Sequence, residues 1–132
     1  MFELTRGGTA WQTKELWQTK QQGYMSTPVV IDGHAYIHLK NQRFACIDLA
    51  TGTETWTTKP FGKYWSLVAN GNKILALDET GTLRLIAANP KEYTLLDERE
   101  VAKESAWAHL AVCGSDICVR SLRGLSVYQW GE

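Results

Sequence analysis

One short pattern recurs three times in this chain, and it constrains the fold more than any other feature. Pro28-Val29-Val30-Ile31 leads through Asp32-Gly33 into Ala35-Tyr36-Ile37-His38-Leu39. Leu67-Val68-Ala69 leads through Asn70-Gly71 into Lys73-Ile74-Leu75-Ala76-Leu77, and Leu110-Ala111-Val112-Cys113 through Gly114-Ser115 into Ile117-Cys118-Val119. Runs rich in β-branched and aromatic residues, joined by two turn residues that tolerate positive φ, predict β-hairpins. The turns at 32, 70 and 114 lie 38 and 44 residues apart.

Each hairpin continues through a second turn into a third strand: Phe44 to Asp48, Leu83 to Ala87, and Leu125 to Tyr128. A fourth strand follows in the first two units, at Thr53 to Thr58 and roughly Tyr93 to Val101. Four antiparallel strands repeating at a period near 40 predict an all-β chain of propeller blades. Arg99 to Ala108 lacks Gly and Pro but is too short to read as an amphipathic helix, and reads as a strand end plus linker.

The segment Cys46-Ile47-Asp48-Leu49-Ala50-Thr51-Gly52-Thr53-Glu54-Thr55-Trp56 resembles the tryptophan-docking motif of quinoprotein-type (PQQ-like) β-propellers, Ala-x-Asp-x-x-Thr-Gly-x-x-x-Trp. Asp48, Thr51, Gly52 and Trp56 fall in register, and Cys46 replaces the leading small residue. Asp48 and Thr51 suit side-chain bonds to the turn backbone, and Gly52 suits a positive φ there. The resemblance implies that Trp56 wedges between neighbouring blades. Ser26 to Tyr36 is similar to the same family's Ser-x-Pro-Val-Val-x-Asp-Gly-x-x-Tyr opening. The second unit is degenerate, with Ala87-Ala88-Asn89-Pro90 in the turn and no tryptophan on its outer strand; the third has Tyr128-Gln129-Trp130-Gly131 in place of the motif.

A near-duplicate, Trp11-Gln12-Thr13-Lys14 and Trp17-Gln18-Thr19-Lys20, stands at the N-terminal end. Glu15-Leu16-Trp17-Gln18-Thr19-Lys20 matches Glu54 to Lys59 at four of six positions, so Trp17 is expected to be the docking tryptophan of a split blade. Trp11 to Lys20 then reads as an outer strand preceded by another at Phe2 to Arg6, with Trp11 and Trp17 on the same side of a regular strand.

The organisation expected is one domain over 1–132: outer strands of a split blade at 1–23, blades at 24–62 and 63–105, and a partial blade at 106–132. That is about three blades, whereas closed rings take about 4 to 8. The expectation is an incomplete ring joined to further blades, or a ring completed by self-association, for instance as a homodimer. An isolated arc would leave apolar blade faces in water.

Composition narrows the chemistry. Fourteen basic and fourteen acidic residues give no net charge, against the basic excess of a dedicated nucleic-acid binder, so the interleaved Trp and Lys of 11–20 are not expected to be a polyanion strip. No apolar run reaches the roughly 20 residues of a membrane span. Met1 to Arg6 has neither the basic start nor the apolar stretch of an export signal; as written the chain is expected to stay where it is made, and to be periplasmic if trimmed from a precursor. The compartment stays open.

His34 and His38 share one strand face but stand about 13 Å apart, too far to share a metal, and all three histidines, His109 included, read as turn or surface residues. With Gly114-Ser115 as a two-residue loop, Cys113 opposes Asp116 and Cys118 opposes Ala111. The two thiols are then diagonal neighbours about 7–8 Å apart, which predicts free thiols; a four-residue loop would permit a bond. The resemblance brings to mind dehydrogenases with a central quinone cofactor, a calcium site, a catalytic Asp and in some members a vicinal Cys-Cys pair, yet none of those surrounding motifs is recognisable. No catalytic residue, metal or cofactor is expected, and the chain reads as a scaffold or interaction module. The other reading is part of a quinoprotein-type enzyme whose catalytic residues lie on absent blades. Met25, Trp65 and Trp107, each near the start of an innermost strand, are candidates for an apolar patch at a channel mouth that takes a peptide or glycan; their competing role is packing.

Overall fold

The computed structural model describes residues 1–131, which form thirteen strands and, among the described residues, no helix. β3 (Val29–Ile31), β4 (His34–His38), β5 (Phe44–Asp48) and β6 (Glu54–Thr57) make a four-stranded antiparallel meander. β7 (Trp65–Asn70), β8 (Lys73–Asp78), β9 (Thr82–Ala87) and β10 (Thr94–Glu100) make a second. β11 (Ala111–Cys113), β12 (Asp116–Arg120) and β13 (Leu125–Gln129) make a three-stranded sheet, and β1 (Phe2–Gly7) pairs only with β2 (Ala10–Glu15). This is an all-β arc of propeller blades whose ring is not closed.

The first turn has positive φ at both Asp32 and Gly33, as its sequence predicts. The second falls one residue later than expected: Asn70 pairs with Lys73, so Gly71 and Asn72 form the turn. Gly71 alone has positive φ, the pattern of a type II′ turn, and Gly114-Ser115 repeats it.

Alternation along the strands gives each sheet two apolar faces, and the sheets stack through them. Tyr36, Phe44 and Cys46 meet Trp65, Leu67, Ile74, Ala76 and Ile86 in one core. On the far side of the second sheet, Leu77 and Leu83 meet Ile117 and Val119 in another. The core is therefore a series of interfaces between blades, each sheet contacting its neighbours.

The N-terminal segment departs from the expectation of one long outer strand. β2 ends at Glu15, so Trp11 and Trp17 do not lie along one strand. Trp11 is on a β1–β2 arm exposed along its whole length, its Phe2, Leu4 and Trp11 on one face. Trp17 lies beyond the strand and turns inward. No helix among the described residues is long and apolar enough to cross a membrane.

Candidate functional site

The motif residues gather at the turn after β5. Asp48 Oδ1 accepts the backbone N–H of Ala50 at 2.7 Å and of Thr51 at 3.1 Å, and Thr51 Oγ1 accepts that of Thr53 at 3.2 Å. These bonds pin a tight turn, and Gly52 closes it with φ of 75°. Gly52 has a second role that its position in the motif does not reveal. A Cβ built there would stand 2.6 Å from the ring of Trp17, so the missing side chain is the seat of that indole. Trp17 Nε1 donates to the carbonyl of Leu49 at 2.8 Å, which ties the N-terminal segment to this turn.

The same contact repeats one blade on. Trp56 Nε1 donates to the Asn89 carbonyl at 2.8 Å, and its ring packs against Tyr36, Phe44 and Tyr93 at centroid distances of 6.1, 5.7 and 6.1 Å. Cys46 stands opposite Trp56 across β5 and β6, fully buried, and burial pushes its thiol pKa up. The acceptor turn at Ala88-Asn89-Pro90 has lost the motif's side chains yet still receives the indole, because the acceptor is a backbone carbonyl. Sequence comparison of side chains has no means of finding it.

Of the three proposed mouth residues, the structure brings two together. Met25 and Trp107, 61% and 40% exposed, line one open groove with Tyr64 and His109. Tyr64 stacks on Trp107 at 5.7 Å and meets His109 edge-on at 6.3 Å. Trp65 is not with them. It is 0% exposed, between Phe44 and Phe61 at 5.1 and 4.7 Å, so it is a packing residue in the first core. Strand alternation decides this: Tyr64 and Trp65 are neighbours, and only one can turn to each side.

His38 also differs from its surface reading. It is fully buried, stacked on Trp65 at 5.1 Å, with Nδ1 lacking a hydrogen-bond partner. Burial lowers its pKa, against the nearby carboxylates of Glu79 and Asp78, which act to raise it. Beside it lies a polar cluster that the sequence did not announce. Burial pushes the Asp78 carboxyl pKa up, but hydrogen bonds from Arg84, at 2.6 Å, and from Thr80 and Thr82 outweigh burial and hold it below the usual range. The Arg84 guanidinium also lies over the rings of Phe61 and Trp65, at 5.4 and 5.2 Å. Glu79 accepts the backbone N–H groups of Lys63 and Tyr64. This cluster braces the loop between β6 and β7.

His34 bonds through Nδ1 to the Asp32 carbonyl within its own turn, and His109 is exposed. Among the described residues no group of three or more His, Cys, Asp or Glu is placed to hold a metal ion. The hairpin of β11 and β12 pairs Cys113 with Asp116 and Ala111 with Cys118, the two-residue loop register, and all three thiols are free.

Residues 3–58 match a protein family described as outer membrane protein assembly factor BamB. No curated protein sequence matches the chain. Among solved structures it is similar to BamB from Moraxella catarrhalis, with 16% identity and a TM-score of 0.60, over 77% of this chain and 31% of that one. A europium-containing methanol dehydrogenase matches with 16% identity and a TM-score of 0.59, over 78% of this chain and 22% of that one. The computationally designed Ika4 protein matches at 10% identity and a TM-score of 0.57, over 89% of this chain and 99% of that one. At these identities the likeness is one of fold. The chain spans about a third of BamB and less of the dehydrogenase.

Proposed function

The chain carries the quinoprotein-like (PQQ-like) β-propeller repeat, and from that premise we propose that it serves as a non-catalytic scaffold, completed by self-association or by further blades. One observation carries the reading: both ends of the arc are open. Among the described residues the outer edge of β13 has no partner strand, and Leu125 and Val127 on that strand are 67% and 58% exposed. At the other end Phe2, Leu4 and Trp11 are 61%, 64% and 68% exposed. Uncovered strand edges with apolar side chains are sites of pairing. The family's description as an assembly factor accords with such a role.

The Trp17–Leu49 and Trp56–Asn89 contacts are read as the docking rivets of the family's motif, made between one blade and the next. Each aromatic of this size buries on the order of 200 Å². The groove of Met25, Trp107, Tyr64 and His109 is the surface best suited to a peptide or glycan, since its stacked aromatics offer flat apolar faces.

Light scattering on the purified chain tests the reading. A mass near 30 kDa, about twice the 14.9 kDa of one chain, supports closure by a second copy. A strictly monodisperse 15 kDa species across the micromolar range removes self-association and leaves completion by further blades.

A second reading is that the arc belongs to a larger quinoprotein-type enzyme, favoured by its likeness to 22% of a methanol dehydrogenase. Incubation with pyrroloquinoline quinone and calcium, followed by absorbance of the gel-filtered protein, tests it. Retained cofactor would favour the enzyme.

A further inference from the structure

Residues 15–20 have the character of an outer strand but no sheet to belong to. Trp17 and Thr19 are half-buried while Gln18 and Lys20 are exposed, the same alternation as Trp56, Thr57, Thr58 and Lys59. Trp17 docks beyond β5 as Trp56 docks beyond β9, each indole donating to a backbone carbonyl at 2.8 Å. Yet β6 is paired to β5, whereas among the described residues none of the N–H groups of Trp17, Gln18, Thr19 and Lys20 reaches a backbone carbonyl.

The converse holds at the other end of the arc, where β11, β12 and β13 make a sheet of three beside two sheets of four. Hydrogen-bonded and non-bonded pairs alternate along an antiparallel ladder. Trp130 donates to the Ser115 carbonyl and Ser121 to that of Gly124, so Ser126 and Tyr128 turn their backbone groups to β12. Leu125 and Val127 turn theirs to the open edge. In the N-terminal segment Leu16 donates to the Met1 carbonyl on the arm, so the N–H groups of Trp17 and Thr19 face the opposite edge.

Counted from their hairpin turns, the pairs Tyr36–Cys46 and His38–Phe44 of the first sheet correspond to Cys118–Val127 and Arg120–Leu125 of the third. In the first sheet Cys46 pairs with Trp56, Ala45 with Thr57, and Thr58 donates to the Phe44 carbonyl. Carried over, Trp17 stands opposite Val127, Gln18 opposite Ser126 and Thr19 opposite Leu125. This register joins the residues whose N–H groups are open on both edges. We propose that residues 15–19 of a second copy form the fourth strand of the third sheet in this register. The inference rests on the self-association proposed above and specifies which strands make it. One chain cannot pair these edges by itself, because its first two sheets stand between them. The second copy's indole then lies in a row with Cys118 and Val127, and covers a face on which Leu125 and Val127 are 67% and 58% exposed.

The test is cross-linking of the full chain, carrying Cys113→Ser and Cys118→Ser, under mild oxidation, beside the solution mass of the wild type. Gln18→Cys with Ser126→Cys puts two thiols on directly opposed residues with Cβ atoms about 4.5–5.5 Å apart. It is expected to give a covalent species near 30 kDa, about twice 14.9 kDa, in at least tenfold greater yield than Thr13→Cys with Ser126→Cys, which samples the arm instead. Val127→Pro removes an N–H that no strand of its own chain uses, so it is expected to keep the wild-type far-ultraviolet spectrum and halve the solution mass. Closure of the Gln18–Ser126 pair alone supports the register. Equal closure of both pairs, closure of neither in a dimeric wild type, or a dimer that survives Val127→Pro overturns it and leaves self-association standing. Closure of neither in a chain of about 15 kDa overturns the register and self-association together.

Discussion

The indole of Trp17 occupies the space that a side chain at Gly52 would need, with ring atoms 2.6 Å from the position of its Cβ. Gly52→Ala therefore meets two obstacles, a left-handed φ of 75° and the ring itself. The backbone alone costs about 1–2 kcal/mol. Trp17→Ala, at a half-buried site, is expected to cost about 2 kcal/mol. In urea titrations the double variant should cost less than the sum, with a coupling of about 1 kcal/mol. Strict additivity would mean that the two residues do not share one site.

Trp56 separates ring burial from its hydrogen bond. Trp56→Phe keeps an aromatic against Tyr36 and Tyr93 but leaves the Asn89 carbonyl without its donor, for an expected loss of about 1 kcal/mol. Trp56→Ala removes the ring as well and should cost about 3 kcal/mol. Equal losses would show that the ring contributes nothing beyond its N–H.

Asp78 and Arg84 are 4% and 13% exposed at their side chains, and removing Asp78 leaves Arg84 only its half-exposed partner Glu98, at 2.8 Å. Asp78→Ala is expected to destabilise by about 3 kcal/mol or more. Asp78→Leu combined with Arg84→Met, which removes both charges, should recover part of that loss in chemical denaturation.

Stability should fall on mild acidification. The His38 pKa lies below its ordinary 6.5 in the folded chain, chiefly through burial. Below pH 6.5 the unfolded chain takes up a proton that the folded chain resists, so stability present above that value is lost as pH falls toward the folded pKa. Asp78, also depressed, adds a separate loss below its ordinary 3.8. His38→Phe keeps the stack on Trp65 and should flatten the fall of Tm that begins below pH 6.5 while leaving the more acidic loss in place. An unchanged slope there would assign it to other groups.

Thiol reactivity should follow exposure. Cys113 is exposed, Cys118 half-buried and Cys46 buried with a raised pKa. A thiol reagent should label Cys113 first and Cys46 only on unfolding, with three thiols in denaturant. Two missing thiols in denaturant would indicate a Cys113–Cys118 bond.

Period-2 runs and turn residues were enough to read the strands from β3 onward, because both are local signals, but not the N-terminal segment, where the strand expected to reach Lys20 ends at Glu15. The Asp48-Leu49-Ala50-Thr51-Gly52 turn was legible for the same reason. What the sequence did not reveal depends on which way a residue faces across an interface. Neither the burial of Trp65 nor that of His38 can be read before the stacking of blades is known. The second turn slipped by one residue because Asn70-Gly71 and Gly71-Asn72 are both good turn pairs. The Asp78–Arg84 pair and the Asn89 acceptor left no motif at all, one being long-range charge and the other backbone.

The seam between the second and third sheets also has a mechanical consequence. A stack of sheets under load parts at its weakest seam, and this one lacks the indole that Trp56 supplies to the seam before it. Opening should start there, releasing β11 to β13 while the first two four-stranded sheets hold. Amide exchange would then be faster in Ala111–Gln129 than in the two four-stranded sheets, and brief proteolysis would cut between Val101 and Leu110 before it cuts within them.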